Sequence, residues 1–182
     1  MIVYGQRPAA PVPETTDRPS IPVALDWVPS ALGPLVESAA VKNSFVLDRT
    51  LLGATAALLP DSEEGTRRSI RKLDGVSVRL YRFHDAGMID LAQADLLREA
   101  YRARGWKHLV SGEKGAVLHS GTTDVWLAMD GVDVRGGTLL AITGKSVSLI
   151  TFAGDLNPVD LLRLRGHFGI PNFSGDKLED AH

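Results

Sequence analysis

The chain carries five histidines, His84, His108, His119, His167 and His182, and no cysteine. Without cysteine there is no thiolate nucleophile, disulfide, zinc–thiolate site or iron–sulfur cluster. No two histidines stand at the i, i+4 spacing that sets a pair of imidazoles on one helix face for a metal. Neither a metal nor a cofactor is therefore expected. His84-Asp85 puts a base beside a carboxylate, but adjacent strand residues point to opposite faces, so a polar strand end is the plainer reading. His108 and His119 could meet across a hairpin as part of a three-ligand site. His167, near a helix C-terminus, favours the helix dipole when protonated.

Gly144-Lys145-Ser146 has the end of a phosphate-binding loop but not its beginning. The first glycine of that pattern falls on Leu139, and a strand rather than a helix follows, so a hairpin turn is expected. Ser111-Gly112-Glu113-Lys114-Gly115 and Gly136-Gly137 lack dinucleotide spacing and read as turns. There is no Gly-x-Ser-x-Gly nucleophile elbow. Arg67, Arg68, Arg71 and Lys72 form the one basic cluster, either a solvated helix face or a site for acidic groups or phosphate. Asn172-Phe173-Ser174 matches a glycosylation sequon, a pattern short enough to arise by chance.

Positioning such residues falls to a chain of 182 residues with net charge −2 and a pI near 6.2. That length suits one domain plus a tail. The charge balance argues against nucleic acid and against an anionic membrane surface as partners. No apolar run is long enough for a membrane span. Five of the ten prolines, Pro8, Pro11, Pro13, Pro19 and Pro22, crowd the start. Residues 1–22 thus read as a disordered, proline-rich leader, 23–173 as a single domain and 174–182 as a flexible tail. The start has neither a basic n-region nor a signal h-region. A periplasmic or exported location is expected if a signal peptide was removed, and a cytoplasmic one otherwise.

Within the domain a short helix is expected near Pro34, then a strand over 44–47. Asp48 caps a helix striped by Leu51, Leu52, Thr55, Leu58 and Leu59, which Pro60 stops. Asp61-Ser62-Glu63-Glu64 opens a second helix whose basic end suits its dipole. Alternation predicts a strand over 76–83. Asp90 and Gln93 form a capping box for a helix faced by Ala94, Leu97 and Tyr101 and closed by Gly105. Strands follow over 106–110, 124–129, 137–143 and 147–153, with turns at Asp130-Gly131 and Gly144-Lys145. Asn157-Pro158 then caps a last helix carrying Leu161, Leu162, Leu164 and Phe168. The expected class is α+β: a mainly antiparallel sheet with a C-terminal strand meander and helices packed on one face.

The last two strands do not alternate apolar with polar. Leu139 and Ala141 oppose Leu140 and Ile142, and Val147 and Leu149 oppose Ile150 and Phe152. A sheet with helices on one face would then leave an apolar strip on the other. The candidate interaction surface is Trp27, Leu140, Ile142, Ile150 and Phe152. Its expected cover is the 23–40 segment anchored by Trp27, a partner protein, or a second copy in a homodimer. Trp106 and Trp126 read as packing residues on or beside strands.

Several segments resemble a bacterial family, domain-of-unknown-function family 4252. They are Leu73-Asp74-Gly75-Val76-Ser77-Val78-Arg79-Leu80-Tyr81-Arg82-Phe83, Gly105-Trp106-Lys107-His108-Leu109-Val110, Ile150-Thr151-Phe152-Ala153-Gly154-Asp155-Leu156 and His167-Phe168-Gly169-Ile170-Pro171. Val46-Leu47-Asp48 and the leucine-rich helix after it fit the start of that family. The resemblance implies no activity and no catalytic residues. It does imply export or envelope association in Gram-negative bacteria, with some members encoded near sigma-factor and anti-sigma-factor systems. The expected function is a non-catalytic binding or interaction module of unknown ligand, linked to signalling or stress response. The rivals are a hydrolase, for which His84, Asp85 and Arg82 would have to meet a nucleophile, and a small-ligand carrier with an apolar cavity between sheet and helices.

Overall fold

The computed structural model describes residues 23–110, 121–164 and 167. The expected leader and tail, the 111–115 turn, His119, His182, the sequon and the end of the last helix lie outside those residues. The described elements are α1 (Leu32–Val36), β1 (Val41–Asp48), α2 (Arg49–Leu58), a 3-10 turn (Asp61–Glu63), α3 (Glu64–Arg71), β2 (Leu73–Arg82), α4 (Leu91–Ala103), β3 (Lys107–Val110), β4 (Thr122–Asp130), β5 (Asp133–Thr143), β6 (Ser146–Leu156) and α5 (Pro158–Arg163).

Six strands form one sheet in the order β1-β2-β6-β5-β4-β3, and every pairing is antiparallel. The expected meander is β3 to β6. Two-residue connections join β4 to β5 and β5 to β6, at Gly131-Val132 and Gly144-Lys145, so the Gly144-Lys145-Ser146 motif is a hairpin turn as expected. The first turn draws on Gly131, whose φ of +64° an L side chain adopts only at a cost. Gly137 serves a different purpose: a Cβ there would lie 2.6 Å from the Trp126 carbonyl oxygen and 2.7 Å from the Phe152 ring. β2 and β1 then add outside β6, so among the described residues the first strand forms one edge of the sheet.

Caps set several helix starts. Asp48 accepts a hydrogen bond from the Leu51 N–H, 2.9 Å. The Asp90–Gln93 capping box is present in both directions, and a second one, Asn157 with Asp160, opens α5. Gly105, at φ +76°, closes α4.

The helices do not share one face, which corrects that part of the expected class. Leu52 and Ala56 of α2, Ile70 of α3 and Leu161 and Leu164 of α5 pack on Val76, Val78, Leu139, Ile150 and Phe152. Leu32, Leu35 and Val36 of α1 and Ala94 and Leu97 of α4 pack on the other face, with Leu140, Ile142, Val147 and Leu149. The physical reason is the pattern along β5 and β6. Both faces are apolar, so both must be covered, and α4, carrying the chain from β2 to the far edge, covers the second. The stripe read along α2 is also narrower than expected: Leu52 and Ala56 are buried, whereas Leu51 and Leu58 are exposed.

Candidate functional site

The five residues of the expected interaction surface are not one surface. Leu140 and Ile142 are buried beneath α1 and α4, and Ile150 and Phe152 are buried on the opposite face. The register makes this unavoidable, because Leu139 pairs with Ile150 and Leu140 with Leu149. Trp27 is the exception. It packs edge-on against Tyr101 at 5.3 Å and lies 6.3 Å from Trp106, with the Arg104 guanidinium 4.1 Å over its ring. Of the three covers weighed, the 23–40 segment is the one in place. Arg79 holds it too, donating to the Leu25 and Asp26 carbonyl oxygens at 3.2 and 3.3 Å.

Beneath Trp27 a polar row crosses the sheet. Ser77, Thr151, Thr138, Trp126 and His108 stand opposite one another in register on five successive strands. The Thr138 and Thr151 hydroxyls pair at 2.9 Å. His108 stacks on Trp126 at 4.2 Å, and its Nε2 bonds Asp124 Oδ1 at 2.8 Å. Arg98 of α4 donates from Nε to Asp124 Oδ2 at 2.9 Å and reaches Asp95 and Thr122 with its other nitrogens. The Asp124 side chain is 1% exposed, so both of its oxygens need these donors. A histidine–carboxylate pair can orient an imidazole for proton transfer. Here the carboxylate is shared with a guanidinium, so its charge is already compensated, and the cluster ties α4 and β3 to β4.

Two buried polar atoms, Tyr101 Oη and Trp126 Nε1, have no hydrogen-bond partner among the described residues. The Thr138 hydroxyl, which acts on Tyr101, is engaged with Thr151. Burial pushes the Tyr101 hydroxyl up to about 12, against opposing effects of Thr138, Arg79 and Arg104.

The other expected chemical residues are dispersed. His84 and Asp85 are both exposed where β2 ends. His167 lies 3.3 Å from Glu63. The basic cluster divides by role. Arg67 turns inward and donates to the Ala56 and Leu59 carbonyl oxygens at the end of α2, and Lys72 pairs with the buried Asp160 at 2.7 Å. Arg68 and Arg71 remain exposed. Arg71 lines a cleft of about 400 Å³ with Arg49, Lys72, Asp74, Asp133 and Asp155. Its cations and carboxylates balance, and an ion pair between Arg49 and Asp74 spans part of it. No group of three potential metal ligands occurs among the described residues. No described helix is long and apolar enough to cross a membrane.

Exposed large apolar side chains include Met88, Leu91, Leu96, Val132 and Val159, and five more belong to β1 and the helix that follows it. Val41, Phe45 and Val46 of β1 and Leu51 and Leu58 of α2 are all open to solvent. Sequence reading missed this last group because β1 looks like any other strand until the topology places it outermost.

No family model matches the chain, and no curated protein or solved structure matches it either.

Proposed function

We propose that this protein is a non-catalytic interaction module that engages a protein partner through the edge formed by β1 and α2. The single observation that carries this reading is the exposure of Phe45 and Val46, 48% and 52%, on an eight-residue edge strand while helices cover both faces of the inner strands. An edge strand presents unpaired backbone N–H and C=O groups, and natural proteins usually blunt it. Strand addition gives affinity through those groups and specificity through alternate side chains. The charges in the most buried cluster, Asp124 with Arg98 and His108, are engaged with one another, which suits a structural role for them. Envelope association and a link to signalling or stress response are the part of this reading supported by the family resemblance alone.

A photo-crosslinking residue placed at Phe45 in the full chain, produced in bacterial cells, tests it. Protein adducts are expected at position 45 well above those from the same group at Leu96, an equally open site on α4. Equal yields at the two sites would contradict the reading.

A further inference from the structure

The edge of the sheet has a composition that suits one particular partner. β1 reads Val41-Lys42-Asn43-Ser44-Phe45-Val46-Leu47-Asp48, with its only cation near one end and its only anion at the other. Laid antiparallel against an identical strand, such a sequence brings opposite charges together. Laid parallel, it brings like charges together, which is unfavourable for directly opposed residues. A two-fold axis normal to the sheet keeps each residue on its own face, so only registers that pair residues of the same face are allowed. In one of these Phe45 faces its own copy, Ser44 faces Val46, Asn43 faces Leu47 and Lys42 faces Asp48. Lys42 and Asp48 also serve locally, with Lys42 Nζ donating to the Glu37 carbonyl oxygen and Asp48 capping α2. Their cross-strand pairs therefore fix orientation more than affinity.

The flanking helix agrees. α2 is the helix that packs over β1 and β2, with α3 on its inner side. Arg49 shares a cleft with Lys72 and with Arg71 of α3, which places that flank of α2 beside α3. At 100° per residue, Leu51 and Leu58 fall on the opposite flank, one above the other and away from α3. Antiparallel pairing of two β1 strands would set these helices side by side, with each Leu51 near the other copy's Leu58. That contact would bury two leucines per chain that the isolated chain leaves 49% and 86% exposed.

We infer that the partner at this edge is a second copy of the chain, joined by antiparallel β1–β1 pairing centred on Phe45 into a continuous twelve-stranded sheet. This rests on the interaction-module reading and narrows it. The joint is one strand pair and one helix pair wide. It belongs with small interfaces, below about 1,200 Å² in total, which dissociate on dilution.

Sedimentation velocity on the full chain over a concentration series is the test. The wild type should move from monomer to dimer as concentration rises. Phe45→Lys should remain monomeric throughout with an unchanged circular dichroism spectrum, and Leu96→Lys should dimerise like the wild type. The absence of native cysteine makes the register separately readable. Under mild oxidation, an equimolar mixture of Ser44→Cys and Val46→Cys chains should give several times more covalent dimer than either variant alone. A wild type that stays monomeric overturns the second-copy proposal, and if photo-adducts to other proteins persist at position 45 the interaction-module reading survives it. A dimer untouched by Phe45→Lys, or no preference for the mixed disulfide, also overturns the proposal.

Discussion

Asp124 sits between two donors from different elements, and what it does follows from that placement. Breaking one side of a buried, hydrogen-bonded ion pair leaves an uncompensated charge, which typically destabilises by about 3–5 kcal/mol. Asp124→Asn should therefore cost about 3 kcal/mol in urea unfolding. The double change Asp124→Leu with Arg98→Met should cost less than the sum of the two single changes, because the two groups are partners. Tyr101 makes the opposite prediction. Its hydroxyl is buried without a partner among the described residues, so Tyr101→Phe should leave stability unchanged or raise it by about 1 kcal/mol. A loss of more than that would mean the hydroxyl is satisfied. Tyr101 is neutral in the folded chain up to about pH 12. Because burial penalises its phenolate, its ionisation does not affect stability below the ordinary value of 10.0 and lowers stability as pH climbs from there toward 12. Asp160 works at the acid end. Burial alone would raise its carboxyl, but the Lys72 ammonium, the Asn157 N–H and the Ser69 hydroxyl outweigh burial and hold it below the ordinary 3.8. Its contribution is thus present above that value and is lost as pH falls through the lower, folded one. The urea midpoint of Asp160→Asn should accordingly fall less between pH 4 and pH 2 than that of the wild type. Little of this was legible beforehand. His108 drew notice for a partner at His119, whereas the residue it bonds is Asp124, sixteen positions on. His108 stands opposite Trp126 and meets Asp124 diagonally across the β3–β4 pair, while Arg98 arrives from α4, and no local spacing encodes either.

At the scale of elements, local signals read well because local chemistry decides them. The caps at Asp48, Asp90 and Asn157, the turn at Gly144-Lys145 and the stop at Gly105 all stand where backbone satisfaction demands. Asp90→Ala should lower stability by about 1 kcal/mol and fray the first turn of α4, visible as faster amide exchange there. What the strands revealed was more than was drawn from it. Leu139, Leu140, Ala141 and Ile142 require cover on both faces, and the helices to supply it were in hand, since α4 must travel from β2 to a strand at the far edge. Assigning all helices to one face left an apolar strip that the fold does not have. The width of the α2 stripe misled in a similar way. Leu51 and Leu58 satisfy helical periodicity, but they are exposed and do not enter the core.

At the scale of the whole molecule, the proposed interaction rests on the β1 edge. The long-range order of strands cannot be read from periodicity, so β1 could not be recognised as outermost before the sheet was assembled. Once it is, the exposure of Phe45 and Val46 on an edge strand can be seen. The second edge of the sheet, β3, spans only four residues. The most direct measurement is amide hydrogen exchange across β1 in the 182-residue chain over a concentration series. If the edge is an interaction surface, the amides of 41–48 that point away from β2 should be protected in the wild type and should exchange quickly in Phe45→Lys. Fast exchange at those alternate amides in the wild type, the same at every concentration and unaltered by Phe45→Lys, would contradict it.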